Sequence, residues 1–296
     1  MSSTTAARPD SSSRHRLAQA TAVGILAALL IGVCGHLALL SQVSFTRAQQ
    51  LAHDRLRLDL ARGTAPLGQF ATASDDGPAE LVASARPIAL LSIPAIGLQD
   101  MVVGEGTTAA DLQSGPGHDR MSRFPGQVGV SVIHGRRWTY GAPFADVPSL
   151  VPGDEVSLTT GQGVFRYVVA GQRGPGDEIA PLKAGEGRLV LVTAAGSPFM
   201  PDHAVYVDAT LVSAPVPGNR LVALPPELTP APMSGDPSAW LPLLLWSEGL
   251  LLAAAAGAWG WSRWGRARTW LAGTPVVLAA GIGFADALSR LLPNIM

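Results

Sequence analysis

Apolar residues in this chain follow two patterns. Three long runs, at 17–40, 240–261 and 270–292, are almost free of charge. Each reaches the roughly 20 residues an α-helix needs to cross the hydrocarbon of a bilayer. Between the first and second lie short β-branched runs at 88–92, 128–134, 155–159, 164–170, 188–193 and 204–211, separated by Gly and Pro. That rhythm predicts one all-β barrel or sandwich. The clearest hairpin is at 155–170, where EVSLT and VFRYVVA flank a Thr160-Gly161-Gln162-Gly163 turn.

The intervening segments complete the organisation. Residues 1–16 are polar and predict a disordered cytoplasmic tail. A first span is placed at 17–41; its apolar stretch exceeds the usual ~7–15 residues of a signal peptide, and no A-x-A-like site follows, so a retained anchor is expected. Residues 42–85 combine a helical stalk at 44–62 with a Gly/Ala/Ser linker carrying Asp75 and Asp76. The compact domain occupies 86–213, and a Pro-rich tether at 214–238 leads to spans at 240–261 and 270–292, joined by a loop at 262–269.

Charge fixes an orientation for these spans. Arg8, Arg14 and Arg16 precede the first, and Arg263, Arg266 and Arg268 lie between the other two. Positive flanks stay in the cytoplasm. Both clusters therefore predict a multi-pass plasma-membrane protein with its main domain outside. Six of the seven tryptophans (Trp240, Trp246, Trp259, Trp261, Trp264, Trp270) gather near the last two spans, as an interfacial belt requires. The net charge of −1 and the absence of a basic stripe argue against nucleic acid as a partner. Cys34, the single cysteine, falls inside the first apolar run and reads as a small hydrophobe. No His/Cys/carboxylate spacing suggests a metal, and no cofactor is implied.

Within the β-rich domain, six stretches occur together: IPAIGL (Ile93 to Leu98), SGPGH (Ser114 to His118), PGQVG (Pro125 to Gly129), RWTYGAPF (Arg137 to Phe144), PGDEV (Pro152 to Val156) and LVLVT (Leu189 to Thr193). In order and spacing they resemble sortases, most closely the actinobacterial class E type, over about 125 residues. The resemblance implies an eight-stranded closed β-barrel outside the membrane and a cysteine transpeptidase that acts on LPXTG-like sorting signals. Such chemistry requires a thiolate nucleophile, a histidine that protonates the leaving amine, and an arginine that holds the oxyanion.

Carried over motif by motif, the histidine position falls on Arg136, the cysteine position on Ala194 and the arginine position on Ala204. A methyl group forms no acyl intermediate, so a catalytically inactive, sortase-like protein is expected. Two substitutes are conceivable: His134, two residues before Arg136 on the same strand face, and Ser197, three residues after Ala194. Asp202-His203 is a further polar pair near the last strand. Arginine cannot exchange a proton at physiological pH but grips anions. The expected binding cleft comprises Arg136, Arg137, Tyr140, Thr193 and His203; the alternative pairs Arg136 with an acid such as Asp202. His118 reads as structural.

Glu248 and Asp286 lie inside apolar runs, about 9–12 Å from the external ends, and His36 falls at similar depth. Together they suggest a polar seam between membrane helices. Three functions follow: a pseudo-sortase that binds a sorting-signal peptide, an active sortase or a cell-wall or pilus protein; an active transpeptidase or hydrolase with displaced residues; or a structural membrane-complex subunit.

Overall fold

The computed structural model describes residues 32, 35, 40–70, 80–197, 200–218 and 220–296. The first apolar run, with Cys34 and His36, therefore lies outside the described residues. The chain divides into two compact units, one holding 242–286 and the other 37–241 with 287–296.

The second unit is a closed barrel of eight strands: β1 (Pro87–Ile93), β2 (Leu98–Glu105), β3 (Gly117–His118), β4 (Gly129–His134), β5 (Glu155–Thr160), β6 (Gly163–Arg173), β7 (Gly187–Ser197) and β8 (Met200–Leu211). Their order around the barrel is β1-β2-β3-β4-β7-β8-β6-β5, closed by β1 against β5. The β2/β3 and β4/β7 pairs are parallel; the others are antiparallel. Period-2 alternation explains the wall: along β5 and β6, Val156, Leu158, Phe165, Tyr167 and Val169 point inward and are buried. The hairpin turns at Gly161-Gln162, with Thr160 paired to Gly163. Six strands coincide with the β-branched runs. β2 and β3 do not stand out in the sequence.

β7 departs from alternation, being buried on nearly every residue from Leu189 to Ala195. Leu189 and Leu191 face the barrel interior, whereas Val190, Val192 and Ala194 face outward. A strand buried on both faces must be covered outside the barrel as well as inside.

Helix α1 (Ser41–Arg62) lies against the barrel rather than standing free as a stalk. Its buried residues Ser41, Phe45, Leu56 and Asp59 recur at helical spacing and form one stripe, while Leu51 and Leu58 are exposed. Gln49 locks it in register: its Nε2 donates to the carbonyls of Val102 (3.2 Å) and Ser114 (2.8 Å), and its Oε1 accepts from the Val102 N–H (2.9 Å). Arg86 and Asp59 form an ion pair at 2.8 Å. Gly63 ends the helix in the left-handed region at φ 68°.

Residues 214–238 are tied to the barrel along their length, unlike a free tether. The Val216 N–H donates to Gly126 O and its carbonyl accepts from Val128 N–H. Val222 exchanges two hydrogen bonds with the Gln69 side chain.

The first unit contains most of α2 (Trp240–Trp264) and α3 (Arg266–Leu291), separated by Gly265 at φ 80°. Within it Gly283 leaves room for the indole of Trp246, which a Cβ there would overlap. Both helices are long and apolar enough to cross a membrane. Glu248 is exposed on α2 and Asp286 is half-buried on α3.

Candidate functional site: a covered groove over Ala194

The groove is built on the outward face of three neighbouring strands. His134 pairs with Val192 in the parallel β4/β7 register, and the Gly135 N–H continues that ladder by donating to Val192 O at 2.9 Å. On the other side, Ala194 pairs directly with Ala204. Ala194 and Ala204 therefore face each other across β7 and β8, and Arg136 follows the end of β4 two residues past His134. Gly135 is required here because a Cβ would overlap the ring of Phe144.

Arg136 is fully buried. One terminal nitrogen donates to Thr139 Oγ1 (3.2 Å) and the other to Ala109 O (2.9 Å). Its guanidinium carbon stands 5.0 Å from the centre of the Tyr140 ring, a cation–π contact. Its Nε has no hydrogen-bond partner, and among the described residues no carboxylate pairs with it. Burial lowers its pKa from the ordinary guanidinium range to about 10, partly offset by Tyr140. The pairing with Asp202 is not formed: Asp202 bonds instead to its neighbour His203, Oδ1 to Nδ1 at 2.7 Å, with both side chains largely exposed.

Arg137 spans the groove. Its side chain donates to Ala194 O at 2.9 Å and lies 5.0 Å from the Trp138 ring centre. Thr193 is buried with its hydroxyl committed to Gly135 O at 3.0 Å, which ties β7 to the strand carrying Arg136. Tyr140, at φ 49°, is buried and its hydroxyl meets Ser289 Oγ at 2.9 Å. His203 pairs with Ala195, one step beyond Ala194, and remains at the exposed rim. The structure thus brings Arg137 and Thr193 to Ala194, sets Arg136 against Tyr140, and leaves His203 at the exposed rim.

The two substitutes lie on different strands, His134 at the end of β4 opposite Val192 and Ser197 five residues further along β7. His134 is buried, its Nδ1 lacks a hydrogen-bond partner, and burial pulls its pKa to about 4, with Asp119 opposing and His118 reinforcing. It is a neutral wall histidine at physiological pH. Ser197 is exposed at the β7/β8 hairpin end, where it pairs with Met200. His118 is sealed in the barrel: Nδ1 meets Glu105 Oε2 at 2.8 Å and Nε2 meets Arg123 O at 2.9 Å. Burial opposes its protonation, but Glu105 and the other hydrogen bonds prevail, so its pKa is raised.

What covers the groove leaves no local pattern in the chain. Ile295 is fully buried against Leu112, Val190, Val192, Ala194 and Ala204, with Trp138 and Met233 packed beside them. The Arg137 N–H donates to Ile295 O (3.2 Å) and Thr139 Oγ1 to Met296 O (2.7 Å). These contacts join residues about 160 positions apart, beyond the reach of any local pattern.

A sortase-domain profile matches residues 91–212 of this chain. The chain is 31% identical to sortase E from Streptomyces avermitilis, covering 45% of this chain and 91% of that one, with a TM-score of 0.38. The chain belongs to the sortase family. Sortase D of Bacillus subtilis (strain 168) is 36% identical over 80 residues, a stretch that is 27% of this chain and only 38% of that protein. A Clostridium perfringens Sortase D5 transpeptidase structure is 20% identical, covering 56% of this chain and 99% of that one, with a TM-score of 0.43.

Proposed function

We propose that this sortase-family protein is a membrane-anchored pseudoenzyme whose barrel holds a peptide without cutting it. The observation that carries the reading is Ala194: the family's cysteine position holds a methyl group, which cannot attack a carbonyl. The neighbouring positions agree. Arg136 cannot act as an acid near neutral pH, and Ala204 offers no donor to an oxyanion. What the groove retains is suited to binding: apolar floor, main-chain donors and a buried cation. Its ligand is a sorting-signal-like peptide, carried by a surface protein or presented by an active sortase, a wall protein or a pilus subunit.

Anchoring is supported by α2 and α3. Leu244, Leu245, Leu251, Leu252, Trp259, Leu271, Val276 and Leu278 are all exposed on them. Helices that are apolar all round and unburied by protein belong in lipid. The arginines at the 262–269 turn and before residue 17 favour a cytoplasmic turn and an external barrel. Glu248 on α2 and Asp286 on α3 then offer polar groups inside the apolar spans, a docking face for membrane partners.

The test uses the full-length protein in detergent or nanodiscs with fluorescent LPXTG- and LAXTG-type peptides and triglycine. Saturable binding with neither cleavage nor covalent adduct is expected, and Arg136→Ala weakens it. Turnover or an adduct overturns the inactive reading; absence of saturable binding overturns the peptide-holding role.

A further inference from the structure

The groove floor belongs to the sortase domain, whereas its cover does not. Val192, Ala194 and Ala204 fall inside the matched stretch 91–212; Met233 and Ile295 fall outside it. We infer that the segment Pro293–Met296 is a resident ligand, seated in cis on a peptide-binding groove from which an external peptide must displace it. The inference rests on the peptide-holding reading above and adds a regulatory contact to it.

The segment is a tight turn, closed by the Met296 N–H donating to Pro293 O at 3.0 Å, and the groove grips it through its main chain. Two successive carbonyls, Ile295 O and Met296 O, are received by the Arg137 N–H and the Thr139 hydroxyl. Main-chain recognition of this kind accepts many sequences. Selectivity comes from the side chains. Ile295 fills the apolar site formed by Leu112, Val192, Ala194 and Ala204. Asn294 donates through Nδ2 to Thr107 O at 3.1 Å. A short clasp keeps the segment in register: Asn294 N–H donates to Ser234 O (2.9 Å) and Asp236 N–H to Arg290 O (2.8 Å). Ser289 adds side-chain bonds to Tyr140 and to Gln113 Nε2 (3.2 Å).

Arg136 supports the same seat from behind, since it bonds the Thr139 hydroxyl that holds Met296. The ligand class is therefore a peptide that turns over the groove, with a branched aliphatic residue at the Ile295 position and an amide side chain before it. A cis occupant lowers the apparent affinity for any external peptide by the fraction of molecules in which the groove is closed.

The experiment reads the cover directly, without any peptide. In full-length protein carrying Cys34→Ser, Ala194→Cys is treated with a membrane-impermeant maleimide, with Ser197→Cys as an exposed reference. Labelling at position 194 is expected at least tenfold slower than at 197. Adding Ile295→Asp is expected to raise it at least tenfold. Equal rates at 194 and 197, or no response to Ile295→Asp, overturns the inference. Should Ile295→Asp fail to fold, Ile295→Ala with amide exchange at Arg137 gives the same test: exchange there must quicken relative to Val169 on the far wall. In the opened variant, two peptides are then offered as protectants, one of sequence LLPNIM and one LPXTG-type peptide sharing its Leu-Pro. Protection supports both readings. Gated labelling that neither peptide suppresses overturns peptide holding and supports the cis seat alone.

Discussion

Arg136→Met tests whether the buried guanidinium is held for the fold or despite it. Lowering of the Arg136 pKa from the ordinary guanidinium range to about 10 corresponds to a penalty of about 3 kcal/mol for keeping it charged, at 1.36 kcal/mol per tenfold. The folded value lies below the unfolded one. The penalty is therefore complete below pH about 10 and is relieved only as pH rises from there toward the unfolded value. Against it stand two hydrogen bonds to Thr139 and Ala109, together about 2 kcal/mol, and the Tyr140 contact, about 0.5–1 kcal/mol. Methionine of similar length keeps the packing, so the exchange is near neutral or stabilising, by up to about 1 kcal/mol. Thermal unfolding of the full-length protein at pH 7 to 9 checks this. An unchanged midpoint or a rise of up to about 4 °C is expected, since 1 kcal/mol moves a large domain by about 2–4 °C. Removing one partner of a true buried ion pair instead costs about 3–5 kcal/mol. A fall of more than about 6 °C, on the same scale, would refute the reasoning. Peptide binding should weaken in the same variant, separating the residue's cost to stability from its use.

His134 is held neutral with a pKa near 4, so the unfolded chain takes up a proton first as pH falls from about 6.5. Stability should drop by about 3 kcal/mol between those values, and denaturant titrations across pH should show His134→Leu flattening that decline. Gly135→Ala drives a Cβ into the fully buried Phe144 ring, at an expected cost of about 1–3 kcal/mol, visible as a lowered unfolding midpoint. Gln49→Ala removes three hydrogen bonds between α1 and the barrel, worth about 2–4 kcal/mol with the groups left behind; faster proteolysis of 41–62, with the barrel amides still protected, would register it.

Much of the barrel was legible because its strands are β-branched runs bounded by Gly and Pro, the local signal that a half-buried strand leaves. β2 and β3 were not. β2 reads LQDMVVGE with polar residues at both ends, and β3 has only two residues, held by pairing with Gly104 and Glu105 on one side and with Ile133 and His134 on the other. Pairing of that kind is tertiary and leaves no periodicity. For the groove, motif spacing led to Arg136, Ala194 and Ala204; the strand register pairs Ala194 with Ala204, and Gly135, next to Arg136, bonds Val192. The sequence was silent on Thr139, Ala109 and Ile295, whose roles arise from contacts between distant segments. It also suggested Asp202 as a partner for Arg136, where proximity in the chain instead gives Asp202 to His203.

On the proposed reading, the missing nucleophile and the covered groove are physically one arrangement. A thiol at position 194 would sit in the apolar patch under the fully buried Ile295, closed to an incoming peptide while that cover is in place. An arginine at position 204 would have to bury its charge in the same patch, at a cost of several kcal/mol without a partner. The two alanines remove both conflicts and leave a floor flat enough for a branched aliphatic side chain to seat at 0% exposure. Histidine at position 136 could not span from Ala109 O to Thr139 as the guanidinium fork does, and so could not brace the hydroxyl that holds Met296. Restoring one catalytic group at a time is therefore expected to return no activity in a peptide-cleavage assay, since each would enter a site still covered by Ile295; turnover by the Ala194→Cys variant alone would overturn this.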